Sequence, residues 1–159
     1  MGNRHRIEVA FSRASLDSAG ETTKNDITDD LGIPGIESVR TSEIYYIGTT
    51  PAISESELKK VAESVFIDPL TQNYSLSEKL FKEFDFFIEV RLHEDVTDNV
   101  GIVALEGIED FLGKKLGGRV RTAKRFYIEG KISRQECERI ARELLANDVI
   151  EEFSVGVKE

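Results

Sequence analysis

The sequence is poor in the residue types that usually build chemical sites. It has one cysteine, two histidines and no tryptophan in 159 residues. Cys137 cannot form an internal disulfide, and its position on an apolar helical stripe suits a reducing cytosol and a structural role. His5 and His93 stand apart from Cys137 and from each other, so the spacing of a metal site is missing. We therefore predict no catalytic residue, no metal ion and no cofactor in this chain.

Long apolar runs and basic clusters are also missing. No stretch could span a bilayer, and Met1–Arg6 is polar and basic with no signal-peptide core behind it. The net charge is −9: residues 1–80 hold 8 Lys+Arg against 13 Asp+Glu, and residues 81–159 hold 13 against 17. This balance disfavours a nucleic-acid backbone as partner. We expect a cytoplasmic protein that binds neither nucleic acid nor membranes.

What the sequence does contain is one helix-and-strand unit that occurs twice, in residues 132–157 and in residues 53–76. In each, apolar residues recur at i, i+3, i+4, i+7 and i+8, which predicts an amphipathic helix. A Ser/Glu capping box precedes each stripe, and a short strand follows it. The capping boxes are Ser133/Glu136 and Ser54/Glu57, and the stripes are Cys137, Ile140, Ala141, Leu144 and Leu145, and Leu58, Val61, Ala62, Val65 and Phe66.

Upstream of this unit the match continues at an offset of 81 residues, whereas the Ser caps differ by 79, so the second copy has two residues fewer in the loop before its last helix. The matching pairs are Ile7-Glu8-Val9 and Ile88-Glu89-Val90, Asp17 and Asp98, Gly20 and Gly101, Leu31-Gly32 and Leu112-Gly113, Val39-Arg40-Thr41 and Val120-Arg121-Thr122, and Tyr46-Ile47 and Tyr127-Ile128. A colinear series of this length indicates an internal duplication, with copies at residues 1–78 and 79–159. Each copy predicts the order β-α-β-α-β.

These elements predict an α+β protein in which helices cover one face of a largely antiparallel sheet. A bend in the long middle strand would make each copy a ferredoxin-like subdomain, and we expect a pseudo-twofold axis between the copies. By simple alternation, the long strands place Ile44, Tyr46, Phe126 and Ile128 on one face and Tyr45, Ile47 and Tyr127 on the other. Both faces are apolar or aromatic, so we predict that the face without helices forms a contact surface.

Other candidate sites have simpler structural explanations. Gly113–Gly118 follows a predicted helix, whereas a phosphate-binding loop leads from a strand into a helix. The acids Glu106, Glu109 and Asp110 read as a solvated helix face. The duplicated Arg-Thr pairs and the tyrosines that follow them are either scaffolding or a partner interface. We select them as candidate interface residues: Arg40, Thr41, Tyr46, Arg121, Thr122 and Tyr127.

The order of these motifs resembles two tandem copies of the PurS family. The sequence most typical of the family is the closing Leu144–Glu151, supported by the Asp-x-x-Gly of Asp17 and Asp98 and by the two Val-Arg pairs. Asp148 replaces a proline that is usual in the family, and Asp68 replaces an asparagine of the closing motif.

PurS is the small subunit of phosphoribosylformylglycinamidine (FGAM) synthase, an ATP-dependent, glutamine-using ligase of purine biosynthesis. The resemblance implies a subunit without its own turnover that bridges the large synthase subunit and the glutaminase subunit and helps ammonia to pass between them. It also implies an internal pseudo-dimer that is able to self-associate further. The alternative is a regulatory module of the ACT type, in which duplicated ferredoxin-like units bind amino acids between subdomains.

Overall fold

The computed structural model describes residues 4–158, which form six strands and four α-helices. The strands are β1 (Arg4–Phe11), β2 (Ile36–Thr50), β3 (Gln72–Ser75), β4 (Phe86–Leu92), β5 (Gly117–Gly130) and β6 (Glu151–Val157). The helices are α1 (Ser18–Asp29), α2 (Glu55–Val61), α3 (Asn99–Leu112) and α4 (Arg134–Ile140). None of the helices in this range is both long and apolar enough to cross a membrane.

All six strands form one antiparallel sheet in the order β3-β1-β2-β5-β4-β6. The long strands β2 and β5 pair with each other at the centre, so the two copies share a continuous sheet. Glu43 lies opposite Lys124, which is its own counterpart at the 81-residue offset. The register is therefore symmetric about this pair. The predicted α+β class with an antiparallel sheet is confirmed.

The register corrects the predicted grouping of residues on the long strands. Tyr46 lies opposite Arg121, and Ile47 lies opposite Val120. Tyr46 therefore shares a face with Tyr127, while Ile47 shares the helix-covered face with Ile128. The prediction assigned even-numbered residues of β2 and β5 to the same face. The offset between the copies is odd, so equivalent residues on one face have an even number in one strand and an odd number in the other.

Local sequence signals set the ends of the helices. Ser54 accepts a hydrogen bond from the Glu57 amide at 3.1 Å, and the Glu57 carboxylate accepts one from the Ser54 amide. The same reciprocal capping box is present at Ser133 and Glu136, as predicted. Both helices then widen into a π-helical turn before an extended residue ends them. The two turns are Ala62–Phe66 and Ala141–Leu145.

The helices lie on one face of the sheet and bury two apolar cores, and each core combines residues of both sequence copies. In the first core, Leu58 and Val61 of α2 meet Ala104 and Ile108 of α3. In the second core, Ile27 of α1 joins residues of α4 and β4. The predicted helical stripes line these cores, with their first three positions buried and their last two half-buried. The sheet and both cores therefore tie the copies together.

Candidate functional site

Asp17 contacts both residues of the first Arg-Thr pair, Arg40 and Thr41. Its carboxylate accepts hydrogen bonds from the Gly20 amide at 2.9 Å, the Thr41 amide at 2.7 Å and the Thr41 hydroxyl at 2.7 Å. Arg40 adds an ion pair at 3.3 Å and donates to the Phe11 carbonyl at 2.7 Å. One carboxylate thus caps α1 and fixes the edge of β2 where β1 no longer pairs with it.

The second copy repeats this arrangement with one difference. Asp98 accepts from the Gly101 amide at 2.8 Å and from the Thr122 amide at 2.6 Å. Arg121 does not pair with Asp98 but donates to the backbone carbonyls of His93 at 2.9 Å and Val96 at 2.8 Å. In both copies, the Asp-x-x-Gly and Arg-Thr motifs therefore join a helix N-terminus to a long strand.

The face of the sheet opposite the helices, here called the helix-free face, carries a network that crosses between copies. It comprises Arg6, Glu8, Ser42, Tyr46, Glu89, Arg125 and Tyr127. The Tyr127 hydroxyl donates to Glu8 at 2.6 Å, and the equivalent Tyr46 hydroxyl donates to Glu89 at 2.8 Å. Each tyrosine of one copy therefore holds the buried carboxylate of the other copy.

Burial and hydrogen bonding shift the pKa of Glu8 in opposite directions. Desolvation alone would raise the pKa of Glu8, but hydrogen bonds from Ser42, Tyr127 and Arg6 bring the pKa below its usual value. Burial raises the pKa of Tyr46 to about 12, and the nearby Glu89 carboxylate adds to this rise. Burial and the Glu8 carboxylate likewise raise the pKa of Tyr127, so both tyrosines are neutral donors at physiological pH.

A second charged group completes the network on the side of β5. Arg125 donates to Glu89 at 2.6 Å and to the Tyr127 hydroxyl at 3.2 Å, and its guanidinium lies 4.1 Å from the centre of the Phe87 ring. Arg125, Glu89 and Glu8 are nearly inaccessible to solvent. Within the described residues, no buried side-chain nitrogen or oxygen lacks a hydrogen-bond partner.

The segment that joins the copies, residues 76–85, is here called the connector. It crosses the helix-free face and covers one side of it. The rings of Phe81 and Phe84 contact Tyr127 with centroids 4.9 and 5.0 Å away. The Leu80 amide donates to Glu8, and Arg40 lies 4.5 Å from the Phe81 ring centre. Tyr127 is consequently buried, whereas its counterpart Tyr46 stays half-exposed. The connector thus makes the two sides of a symmetric framework unequal.

An open cleft of about 740 Å³ lies on the uncovered side of this face. Tyr46 and the backbone of Gly48 form part of its wall. Its charged lining consists of Arg4, Arg91, Arg119, Arg121, Glu94 and Glu152. A second cleft of about 610 Å³ lies between the connector and Tyr46 and contains Arg6, Lys79, Lys82, Arg125 and Lys158. Both clefts carry more positive than negative side chains, in contrast to the whole chain at −9.

A different exposed surface lies on α3. Val100 and Val103 are 59% and 65% exposed, and Ile102 and Phe111 are also exposed. At the 81-residue offset, the corresponding residues of the first copy are Ala19, Thr22, Glu21 and Asp30. Only the second copy therefore presents an apolar outer helix face, which we call the α3 face.

The residues with potential nucleophilic or metal-binding chemistry have structural partners. Cys137 is fully buried, and burial raises the pKa of its thiol to about 12. His5 hydrogen-bonds to the Ile53 carbonyl at 2.8 Å, and His93 to the Asp148 carbonyl at 3.0 Å. Residues 4–158 contain no group of three or more His, Cys, Asp or Glu side chains arranged to hold a metal ion.

The structure places the six predicted site residues in two kinds of surroundings. Arg40, Thr41, Arg121 and Thr122 belong to the helix-capping arrangements, while Tyr46 and Tyr127 belong to the crossed network. The sequence reasoning missed Glu8, Glu89 and Arg125 as members of that network. The signal for the two glutamates was a charged residue between two β-branched ones, Ile-Glu-Val, at the same place in both copies, and Arg125 had no such signal.

Comparison with protein families gives a match for both copies. A family model described as PurS: Phosphoribosylformylglycinamidine (FGAM) synthase matches residues 4–79 and again residues 85–159. No curated protein matches the chain. The two matches together span nearly all of the chain and coincide with the duplication inferred from the sequence.

Proposed function

This chain belongs to the PurS family, with two copies in tandem, and we propose that it acts as a bridging component of FGAM synthase. The family associates the chain with FGAM synthase and purine biosynthesis. In our proposal, the chain has no turnover of its own, works in the cytoplasm, and joins the ATP-dependent synthase part to the glutaminase part so that ammonia passes between them. The double family match is the observation that carries this proposal.

The α3 face supplies the first proposed docking surface, for the large synthase subunit. Val100, Val103 and Phe111 form an exposed apolar strip, and the exposed acids Glu106 and Asp110 lie on the same helix. A second copy of this chain would bring those acids against each other, so the acidic rim favours a different protein with basic residues around an apolar patch. Because α1 lacks this strip, we expect one synthase subunit per chain.

The second proposed docking surface comprises the six residues selected from the sequence. We propose that Arg40, Tyr46 and Arg121, which are half-buried, contact the partner at the rim of the helix-free face. Thr41 and Thr122 fix the strand backbone next to the two arginines through their bonds to Asp17 and Asp98, and Tyr127 belongs to the same network as Tyr46. This surface presents arginine and tyrosine side chains, whereas the α3 face is an apolar strip with acids beside it. The two surfaces therefore suit two different partners.

We further propose that the copies, residues 1–78 and 79–159, are ferredoxin-like subdomains related by a pseudo-twofold axis through the Glu43–Lys124 pair. The symmetric register of β2 and β5 and the crossed tyrosine–glutamate bonds support this arrangement. The missing fourth strand of each subdomain is then supplied by the long strand of the other copy.

A reconstituted synthase tests the bridging role. The chain is mixed with the matching synthase and glutaminase subunits, and product formation is measured with glutamine or with ammonia as the nitrogen source. We expect that omission of the chain abolishes the glutamine-dependent rate and leaves most of the ammonia-dependent rate. An unchanged glutamine-dependent rate without the chain contradicts the proposal, and so does turnover of ATP, substrate and ammonia by the purified chain alone.

A further inference from the structure

Arginine is distributed unevenly over the molecule. Seven of the eleven arginines of the chain belong to the helix-free face, where strand alternation brings them to one side: Arg4, Arg6, Arg40, Arg91, Arg119, Arg121 and Arg125. Within the described residues, the remaining four lie in the loop after β1 or on α4 and the turn that follows it. In an acidic protein, such a concentration makes this face locally attractive to anions.

The larger cleft contains arginines whose charge is incompletely balanced. Arg121 is held by the backbone carbonyls of Leu92, His93 and Val96 and has no carboxylate within ion-pair distance among residues 4–158. Arg4 likewise has no ion pair within this range. Arg91 shares Glu89 at 3.7 Å with the closer Arg125, and Arg119 pairs with the exposed Glu94. Four arginines against two glutamates leave a formal charge of +2 in the cleft.

Its shape suits a small molecule better than an extended chain. The cleft encloses about 740 Å³, which lies within the range of small-molecule sites. Guanidinium groups present paired donors that match the oxygens of a phosphate group, and Arg121 is already oriented by its carbonyl contacts. A dianion would balance the formal excess charge.

We propose that this cleft, between the end of β2, the start of β5 and the end of β4, binds a small phosphate ester. Arg121 is the fixed donor at its base, Arg4, Arg91 and Arg119 close around the phosphate, and the half-exposed Tyr46 lines the wall where the organic part would lie. The cleft shares Tyr46 and Arg121 with the second proposed docking surface, but the isolated chain contains the complete cleft, so ligand binding can be measured without a partner.

The test is titration calorimetry of the full chain at low ionic strength with inorganic phosphate and with adenosine monophosphate as separate probes. We expect saturable binding of both, tighter for the ester, and weaker binding as salt is added. The double variant Arg4→Gln/Arg119→Gln should weaken binding by about tenfold or more, because two charge-assisted donors are lost. Arg134→Gln/Arg139→Gln on α4 removes the same charge far from the cleft and should leave binding unchanged.

Three calorimetric outcomes overturn the proposal. They are no saturable heat with either probe at millimolar concentration, equal weakening by the α4 control variant, and tighter binding of an acidic peptide, titrated as a third probe, than of the ester. A panel of amino acids that raises the melting temperature while phosphate esters do not also overturns it, and favours the regulatory alternative. Because these measurements need no synthase subunit, failure here is distinct from failure of the bridging role.

Discussion

At the scale of single residues, the two buried glutamates need an explanation, because burying a carboxylate is costly. Glu8 and Glu89 each stand between an isoleucine and a valine that face an apolar core, and both are almost fully buried. An unpaired carboxylate in such a place would be strongly destabilising. Each has an arginine of its own copy within 2.7 Å and a tyrosine of the other copy within 2.8 Å, so the charge is balanced within the copy and the hydrogen bond crosses the copy boundary.

The substitution Tyr127→Phe tests that balance. The Tyr127 hydroxyl donates to Glu8 and accepts from Arg125, so its loss leaves buried charged groups without a partner. We expect a loss of about 1–3 kcal/mol in the free energy of unfolding, measured by urea denaturation. The matched control is Tyr46→Phe, which should cost less because Tyr46 is half-exposed and water can replace its hydroxyl beside Glu89. Equal losses in the two variants would show that the connector does not seal the Tyr127 side.

Glu8 also predicts how stability depends on pH. Its pKa is lower in the folded protein than in the unfolded chain, so the folded state binds fewer protons in the intervening range. The stabilisation is therefore fully present above the unfolded pKa of about 4.3 and is lost as the pH falls through the lower folded pKa. Urea midpoints measured from pH 7 to pH 3 should fall less steeply in Glu8→Gln than in the wild type. Parallel curves would exclude Glu8 as the cause.

At the scale of elements, the helix starts depend on two glycines that look alike in sequence and in structure. A Cβ on Gly20 would lie 2.3 Å from the Val39 carbonyl oxygen, and one on Gly101 would lie 2.0 Å from that of Val120. Both contacts are with backbone, which cannot move aside without displacing a long strand. The Asp-x-x-Gly motif thus sets how closely α1 and α3 approach the sheet.

We expect Gly20→Ala and Gly101→Ala each to reduce the free energy of unfolding by about 1–3 kcal/mol, as overpacking does in other cores. Gly48→Ala is the control, because a Cβ there meets nothing within 4 Å. Thermal melts of the three variants check this. A Gly101→Ala protein as stable as the Gly48→Ala protein would contradict the close approach of α3 to β5.

The outer faces of α1 and α3 allow a matched test of docking. Val103→Glu places a charge in the exposed apolar strip, and Thr22→Glu places the same charge at the equivalent position of α1. Neither change should alter the melting temperature, because both sites are exposed. We expect only Val103→Glu to weaken association with the synthase subunit, by about tenfold or more, in a pull-down titration. Equal effects of the two variants would remove the α3 face from the interface.

Sequence reasoning succeeded for features that depend on neighbouring residues and failed for those that depend on strand register. The capping boxes at Ser54 and Ser133 follow from residues three positions apart, so they were predictable. The contact between Tyr127 and Glu8 joins residues 119 positions apart and exists only because β2 and β5 pair in one register. The arginines of β5 alternate in sequence, but their gathering with Arg4 and Arg91 also required the strand order.

At the scale of the whole molecule, the features that the two copies share and those in which they differ have separate roles. The symmetric parts are the sheet register, the Asp caps and the crossed tyrosine–glutamate bonds, and these hold the copies together. The unequal parts are the connector, the arginine-lined cleft and the α3 face. A protein that binds two different partners needs unlike surfaces on a stable frame, and duplication followed by local divergence provides both.

This arrangement predicts how the two halves behave as separate chains, residues 1–78 and 79–159. Each core contains residues of both copies, so neither half can bury its apolar residues as a monomer. We expect the mixed halves to form a folded heterodimer, detected by circular dichroism and analytical ultracentrifugation. A half that folds cooperatively as a monomer would contradict the shared cores.

The pair at the centre of the β2–β5 ladder further predicts which dimer the halves prefer. In the heterodimer Glu43 faces Lys124, as in the intact chain. A symmetric homodimer of either half would instead place Glu43 against Glu43 or Lys124 against Lys124, and like charges directly opposite each other are destabilising. The heterodimer should therefore be favoured by about 0.2–1 kcal/mol for each such pair avoided. Lys124→Glu in the second half places like charges opposite each other in all three dimers, so it should remove this preference and increase the share of homodimers of both halves in native mass spectra. An unchanged distribution would mean that contacts away from this pair decide how the copies assemble.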